Sequence, residues 1–491
     1  INFVYWLMST SLKQKTISGM IWNAVERFGT AFFLFISNIV LARVLSPDDF
    51  GCIGMLLVFI NISDAIVDGG FDSALIQKES PTPTDYSTIF YWNIVLSIFL
   101  YILFFLAAPL ISSYYKLPLL CDILRVQGIV LVINAFSLVQ RSILKKRIAF
   151  RKNAKINLVA VSIATSIAIV SAYIGWGVWS LVVKSLLTAI ILCAGYWLNS
   201  QWHPIRIFSR KAFASLFKFG GFIFLDTIIN TIYLNLVSLI IGKRFSASAL
   251  GYYTQALKLA DMPRSIMSSV VNNVSFSAFS SLQNDPVRLL RASKMGFKSL
   301  MFIHAPLMML MIVIAKPIFT LLFTEKWNHS VPFFQAICVM GLVYTAYEYN
   351  QNILLSAGKA NLHFAVRVVQ CVIGIILINV GLYWGIWGFI AGFVISGYVI
   401  YMVVAFFVKR VMNYGLLQQV RDIAPAFMVS LLAAVAAFSI SLLELGWHYV
   451  LVMLIQIIAF GVIYILVCKL LRIGELDIFI DILKRKHSAL H

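Results

Sequence analysis

Apolar stretches of twenty or more residues dominate this chain, and a small set of ionisable side chains interrupts them. Those are the groups able to do chemistry. Asp64, Asp68 and Asp72 recur at i, i+4 and i+8, which on one helix would align three carboxylates over about 12 Å of its axis, with Gly69 and Gly70 interrupting the face. Carboxylates so placed can take up a proton or a small cation. Glu26 and Arg27 are adjacent, about 100° apart around a helix, so each must find a partner on a neighbouring element. Lys184, Asp226 with Asn230 and Asn235, the string Lys258, Asp261, Pro263, Arg264, and Glu348 among Tyr344, Tyr347 and Tyr349 complete the set.

Arginine suits an anionic phosphate through bidentate contacts, and lysine suits it as a point charge. Asparagine amides and tyrosine rings suit sugars, which present hydroxyls and flat apolar faces. The candidate ligand-binding residues are therefore Arg27, Lys184, Lys258, Arg264, Asn230, Asn235, Tyr344 and Tyr347. The candidates for ion coupling are Glu26, Asp64, Asp68, Asp226 and Glu348. A charge at the centre of a membrane helix costs about 2.5–3.5 kcal/mol on insertion scales, so each needs a partner or water. For Arg27, Asp64, Lys184 and Glu348 a water-filled cavity is expected. Two plainer readings stand beside it: Asp261 and Arg264, three apart, neutralise each other, and Asp72 and Arg141 snorkel to headgroups.

These groups must be positioned by helices in a bilayer. The chain has 491 residues, 61% of them hydrophobic and only 12% charged, with a mean hydropathy of +0.91. Too few charges remain to dress a water-soluble surface, and a disordered chain, a coiled coil, a disulfide scaffold and a nucleic-acid binder are excluded with it. Spans of about 20 apolar residues are expected near 17–41, 51–77, 87–113, 119–144, 153–174, 177–199, 213–241, 250–281, 296–323, 332–356, 362–383, 385–408, 423–444 and 447–470. The spans at 51–77 and 250–281 are the least hydrophobic, which makes twelve helices the competing count. The expected class is thus an all-α polytopic membrane protein with about 14 transmembrane helices.

If every second connection is cytoplasmic, those connections hold 27 of the 39 basic residues, and the opposite ones hold five: Arg43, Lys116, Lys243, Arg244 and Lys326. The asymmetry predicts both termini in the cytoplasm and explains the net charge of +20 by loops beside anionic lipid. The residues before Met8 read as upstream sequence ahead of a natural start, and no cleavable signal peptide is visible.

An internal repeat organises the spans. Leu41–Gly51 (LARVLSPDDFG) aligns without a gap with Ile241–Gly251 (IGKRFSASALG) at an offset of 200. Trp176-Gly177-Val178-Trp179 recurs as Trp384-Gly385-Ile386-Trp387, and AAPLI from Ala107 as AKPIF from Ala315, both at an offset of 208. Six helices fit within one offset, so the copies run parallel and are related by an axis along the membrane normal. The expected organisation is a cytoplasmic segment 1–16, an N-lobe 17–211, a C-lobe 212–411 in pseudo-two-fold relation to it, two further helices in 412–471 and a cytoplasmic tail 472–491.

Motifs for soluble chemistry are missing from the sequence. There is no glycine-rich phosphate loop, no His-Glu-x-x-His, no paired cysteine, and the seven histidines are scattered. The six cysteines stand far apart and read as small hydrophobes, so neither a metal nor an organic cofactor is expected. Energy must then come from an ion gradient, with H⁺ or Na⁺ as the coupling ion, from the membrane potential, or from consumption of cargo.

LARVLSPDDFG, DGGFDSALIQKES (Asp68–Ser80) and LGYYTQALKLADMP (Leu250–Pro263) together resemble the bacterial polysaccharide transporter family, specifically its Wzx-like flippases of lipid-linked oligosaccharides. That family lies in the superfamily that also holds multidrug extruders and the lipid II flippase. The resemblance runs from about Ser11 to the fourteenth span and implies a two-lobed fold that alternates between inward and outward openings. It implies an undecaprenyl-pyrophosphate-linked oligosaccharide as cargo, turned towards the periplasmic leaflet of the inner membrane for O-antigen, capsule or exopolysaccharide assembly. A polysaccharide polymerase and chain-length machinery are the implied partners beside membrane lipids. Related flippases use buried arginines on helices including the first, which points to Arg27, and the lipid II relatives use their last two helices as a groove for the lipid tail. Two alternatives stay open: a multidrug or small-cation antiporter, in which the three aspartates are the main site, and a membrane-embedded polysaccharide polymerase or ligase.

Overall fold

The computed structural model describes residues 22, 26, 28–147, 149–270, 285–442 and 448–477, and among these it is built of helices. The chain divides into two compact units, Ile1–Gly251 and Tyr252–His491. In the first lie α1 (Phe28–Val44), α2 (Pro47–Asp68), α3 (Phe71–Gln77), α4 (Pro83–Tyr115), α5 (Leu119–Gln127), α6 (Ile129–Lys146), α7 (Phe150–Tyr173), α8 (Trp179–Ser200) and α9 (Arg210–Arg244). Helix α10 (Ala247–Val270) begins in the first unit and runs into the second. The second continues with α11 (Pro286–Val313), α12 (Ala315–Phe323), α13 (Val331–Ser356), α14 (Ala360–Gly381), α15 (Gly385–Met412), α16 (Leu416–Leu442) and α17 (Tyr449–Leu470).

Eleven helical stretches among the described residues are long and apolar enough to cross a membrane, one of them the α14–α15 hairpin. The other expected spans fall on these stretches, and α1 and α10 cover the described parts of those expected at 17–41 and 250–281, whose remaining residues lie outside the described ones. The chain is a multi-pass membrane protein. Rings of exposed apolar side chains, such as Leu106, Leu110, Leu198 and Leu466, are what a lipid-facing surface requires.

Local chemistry sets the helix ends. Ser46 and Thr82 open α2 and α4 with full capping boxes closed by Asp49 and Asp85, each followed by a first-turn proline. The second span departs from expectation. Gly69 and Gly70 both adopt left-handed φ, at 53° and 73°, so α2 stops at Asp68 and α3 restarts at Phe71. The three aspartates are therefore divided between two helices instead of sharing one uninterrupted face. A reason for the break is visible: a Cβ at Gly70 would stand 2.3 Å from the Gly220 carbonyl oxygen of α9, so the backbones touch there.

Helix α9 runs along α2 and α3, from the Gly70–Gly220 contact through an Asn61–Asn235 hydrogen bond of 3.3 Å to Gly242 against Met55. At its far end the two repeat motifs meet. A Cβ on Gly51 would lie 1.8 Å from the Ala247 carbonyl oxygen, and one on Gly251 would lie 1.9 Å from that of Pro47. Positions 47 and 51 thus oppose 247 and 251, a self-complementary crossing of the N-termini of α2 and α10. Ser248 Oγ donates to Asp48 Oδ1 across it at 2.7 Å. Elsewhere in the first unit α6 packs on α4 and α8, and α7 on α8. In the second, α15 packs on α13 and α14, α11 on α13 and α16, and α16 on α17.

Candidate functional site: polar clusters within the spans

In the first unit the expected carboxylates are gathered around two cations that the candidate set left out. Arg141 of α6 lies 3.9 Å from Asp68 and 3.8 Å from Asp72, and Lys145, one turn on, pairs with Asp72 at 2.7 Å. Ser142 also donates to Asp72. Helix periodicity explains the trio, since residues 141, 142 and 145 share one face of α6. Asp72 and Arg141 therefore meet each other, which replaces the expected escape of both to headgroups by an internal ion pair. Asp64 accepts from Asn134 Nδ2 at 3.4 Å on both oxygens and lies in the field of Arg141. Glu26 accepts from Asn157 of α7 and lies in the field of Lys145. Asp64, Asp68 and Asp72 with Arg141 and Lys145 thus form one cluster through α2, α3 and α6, acid-rich by one charge, with Glu26 beside it on Asn157.

Lys184 stands apart from this cluster. Its Nζ donates to the wholly buried Ser37 Oγ of α1 at 2.7 Å, and the neighbouring Ser185 donates to Gln127 at 2.7 Å. Asn235 donates to the Thr231 carbonyl at 2.8 Å while accepting from Asn61. Asp226 and Asn230 are half-buried on α9. Arg27 lies outside the described residues. Lys146 caps the end of α3 by donating to the Ile76 carbonyl at 2.8 Å and to that of Lys78.

The second unit holds a balanced cluster on α10 and α13. Arg264 Nη2 pairs with Asp261 at 2.7 Å, as the plainer reading had it, and lays its guanidinium over the Tyr344 ring at 4.6 Å. Glu348 accepts from Ser268 and lies in the fields of Arg264 and Arg367. Lys258 is exposed two turns before Arg264. Tyr347 is buried, donating to Gln370 at 2.6 Å and accepting from Gln351 at 2.8 Å, and Tyr349 donates to the Ser293 carbonyl at 2.8 Å. Tyr344 is thus the tyrosine that meets a charged group of the cluster, through the Arg264 guanidinium. An arginine held on one edge by a carboxylate and on its face by an aromatic ring keeps donors for an anion.

The neutral partners Asn134, Asn157, Ser37, Ser268 and Gln370 escaped sequence reasoning. Their one signal is polarity within an apolar run, shared by many residues that merely bond the preceding turn, such as Thr188 to the Lys184 carbonyl at 2.7 Å.

Comparison with known proteins places this arrangement. A family described as "Polysaccharide biosynthesis protein" matches residues 40–332. The chain belongs to that family. It is 26% identical over 449 residues to the lipopolysaccharide biosynthesis protein WzxC of Escherichia coli (strain K12), covering 89% of each chain. It is 24% identical over 326 residues to the succinoglycan biosynthesis transport protein ExoT of Rhizobium meliloti (strain 1021), covering 66% of each. Among solved structures, the fold is similar to the lipid II flippase MurJ in an inward closed conformation, with a TM-score of 0.76 at 16% identity over 92% of this chain and 98% of that one. An inward-facing multidrug MATE transporter follows at a TM-score of 0.60 and 15% identity, over 78% and 94%.

Proposed function

We propose that this family member is a flippase that carries an undecaprenyl-pyrophosphate-linked oligosaccharide from the cytoplasmic to the periplasmic leaflet by alternating access, for O-antigen, capsule or exopolysaccharide assembly. The observation that carries the reading is membership of a polysaccharide biosynthesis family on a chain that has the fold of a lipid-substrate flippase. Relatives named for lipopolysaccharide biosynthesis and succinoglycan transport support a saccharide cargo over a drug, and transport over polymerisation or ligation. The bacterial inner membrane with both termini cytoplasmic is the location that fits the distribution of basic loops.

Residue roles follow from charge. Arg27 and Lys184 are the candidate cations of the first unit for an anionic head, and Arg264 is that of the second. Lys258 is assigned to its approach, and Asn230, Asn235, Tyr344 and Tyr347 to sugars or to the shape of their site. The acid-rich cluster of the first unit suits ion exchange: uptake of H⁺ or Na⁺ at Asp64 or Asp68 would loosen their hold on Arg141 and so alter α2 against α6. Glu26, Asp226 and Glu348 are the remaining coupling positions. A polysaccharide polymerase and chain-length machinery would consume the product on the far leaflet.

The experiment is direct. Purified full-length protein in liposomes should move a fluorescent lipid-linked oligosaccharide between leaflets, and a deletion strain should accumulate lipid-linked repeat units facing the cytoplasm. Liposomes that export a cationic dye but leave the glycolipid unmoved would overturn the reading in favour of a drug antiporter.

A further inference from the structure

Away from both clusters, a cavity of about 260 Å³ opens among α11, α16 and the residues after α17, lined by Lys298, Phe302, Arg421, Asp422, Arg472 and Glu475. Its ions are unequally committed. Lys298 pairs with Asp422 at 3.1 Å, and Asp422 also accepts from Tyr414 at 2.9 Å, so these two largely satisfy each other. Arg421, Arg472 and Glu475 have no ion pair among the described residues. Arg472 occupies a left-handed φ of 51°, unusual for a side-chain-bearing residue, in a helix-ending turn where Ile473 N–H donates to the Cys468 carbonyl at 3.0 Å. Pro425 lines the same cavity and supplies no N–H to the Arg421 carbonyl, leaving that oxygen as a further acceptor.

Depth fixes what kind of molecule meets this set. The apolar span of α17 ends at Leu470, which is 82% exposed, and the cavity begins at the next residue, Leu471. It therefore lies where hydrocarbon gives way to headgroups. We propose that it is a binding site for a bilayer aminophospholipid headgroup. The phosphodiester sits on Arg421 and Arg472, and the primary ammonium donates to Glu475 and the Arg421 carbonyl. Guanidinium pairs favour phosphate oxygens, and a carboxylate left beside them would repel a simple anion but complements a zwitterion. The acyl chains follow the exposed leucines of α17.

The test uses the full-length protein, purified in detergent and stripped of lipid. Phosphatidylethanolamine, phosphatidylcholine, phosphatidylglycerol and inorganic phosphate are added separately, with retention read by native mass spectrometry and thermal stability. Ethanolamine lipid is expected to be retained above choline lipid, whose nitrogen has no proton to donate. R421Q/R472Q should lower its retention by about tenfold or more per arginine. E475Q should erase the preference for ethanolamine while leaving the glycerol lipid bound. Equal retention of all three lipids, unchanged retention in R421Q/R472Q, or stabilisation by inorganic phosphate equal to that by lipid would each overturn the proposal. If the double variant does not fold, E475Q decides through the headgroup preference alone.

Discussion

Replacing Gly51 by alanine tests the crossing of the repeat motifs. The added Cβ would fall 1.8 Å from the Ala247 carbonyl oxygen, whereas a carbon–oxygen contact relaxes at about 3.3 Å or more, so the backbones must separate by about 1.5 Å. The obstacle is main chain, and no rotamer change can move it aside. A separation of that size also breaks the 2.7 Å bond from Ser248 to Asp48, which solvent already weakens at this exposed position. Overpacking costs about 1–3 kcal/mol, and the exposed bond adds less than about 1 kcal/mol, giving a loss of about 1–4 kcal/mol. Thermal unfolding of the purified protein measures the loss. A disulfide between D48C and S248C, formed with the native cysteines replaced, measures the separation, and its yield should fall several-fold in G51A. Gly251→Ala should act similarly, because its Cβ would meet the Pro47 carbonyl at 1.9 Å. The double variant should cost less than the sum, since either change alone opens the same contact. Wild-type stability and disulfide yield in G51A would refute the reasoning.

Arg264→Ala should abolish glycolipid flipping while membrane abundance stays within about twofold, because Asp261 and Tyr344 are its partially exposed neighbours; a fall in abundance would instead mark a structural ion pair. Lys184→Met removes the donor to the buried Ser37 Oγ and should lower stability by about 1–2 kcal/mol in thermal unfolding, while reducing flipping of the folded protein in liposomes. Asp72→Asn leaves Lys145 and Arg141 without their shared carboxylate and should cost about 1–2 kcal/mol after solvent screening, read as a lower unfolding midpoint that Asp72→Glu partly restores. Gln419→Leu removes the side-chain amide that exchanges bonds of 2.9 and 3.0 Å with Asn350 and accepts from Tyr401 at 3.0 Å, stranding buried groups on α13 and α15, and should cost about 2–3 kcal/mol in the same assay.

Much of this molecule was legible without coordinates. Composition and the recurrence of apolar runs give the all-helical class and the approximate place of the spans, because a helix in lipid satisfies its own backbone and only its length and polarity matter. The repeat was visible as well, and so was the pairing of Asp261 with Arg264, which neighbour each other along one helix. The structure alone decided everything that depends on which helices touch. Asp72 meets Lys145 across 73 residues, Glu26 meets Asn157 across 131, and Lys184 meets Ser37 across 147. No local pattern encodes such partners, because each is selected by the register in which two helices pack. The same holds for the break at Gly69 and Gly70, which the sequence marks as a weak point and which falls where the Gly220 backbone approaches between α2 and α3. Hydrophobic periodicity is a property of one element at a time, whereas burial of a charge is settled by the neighbours that the tertiary fold supplies.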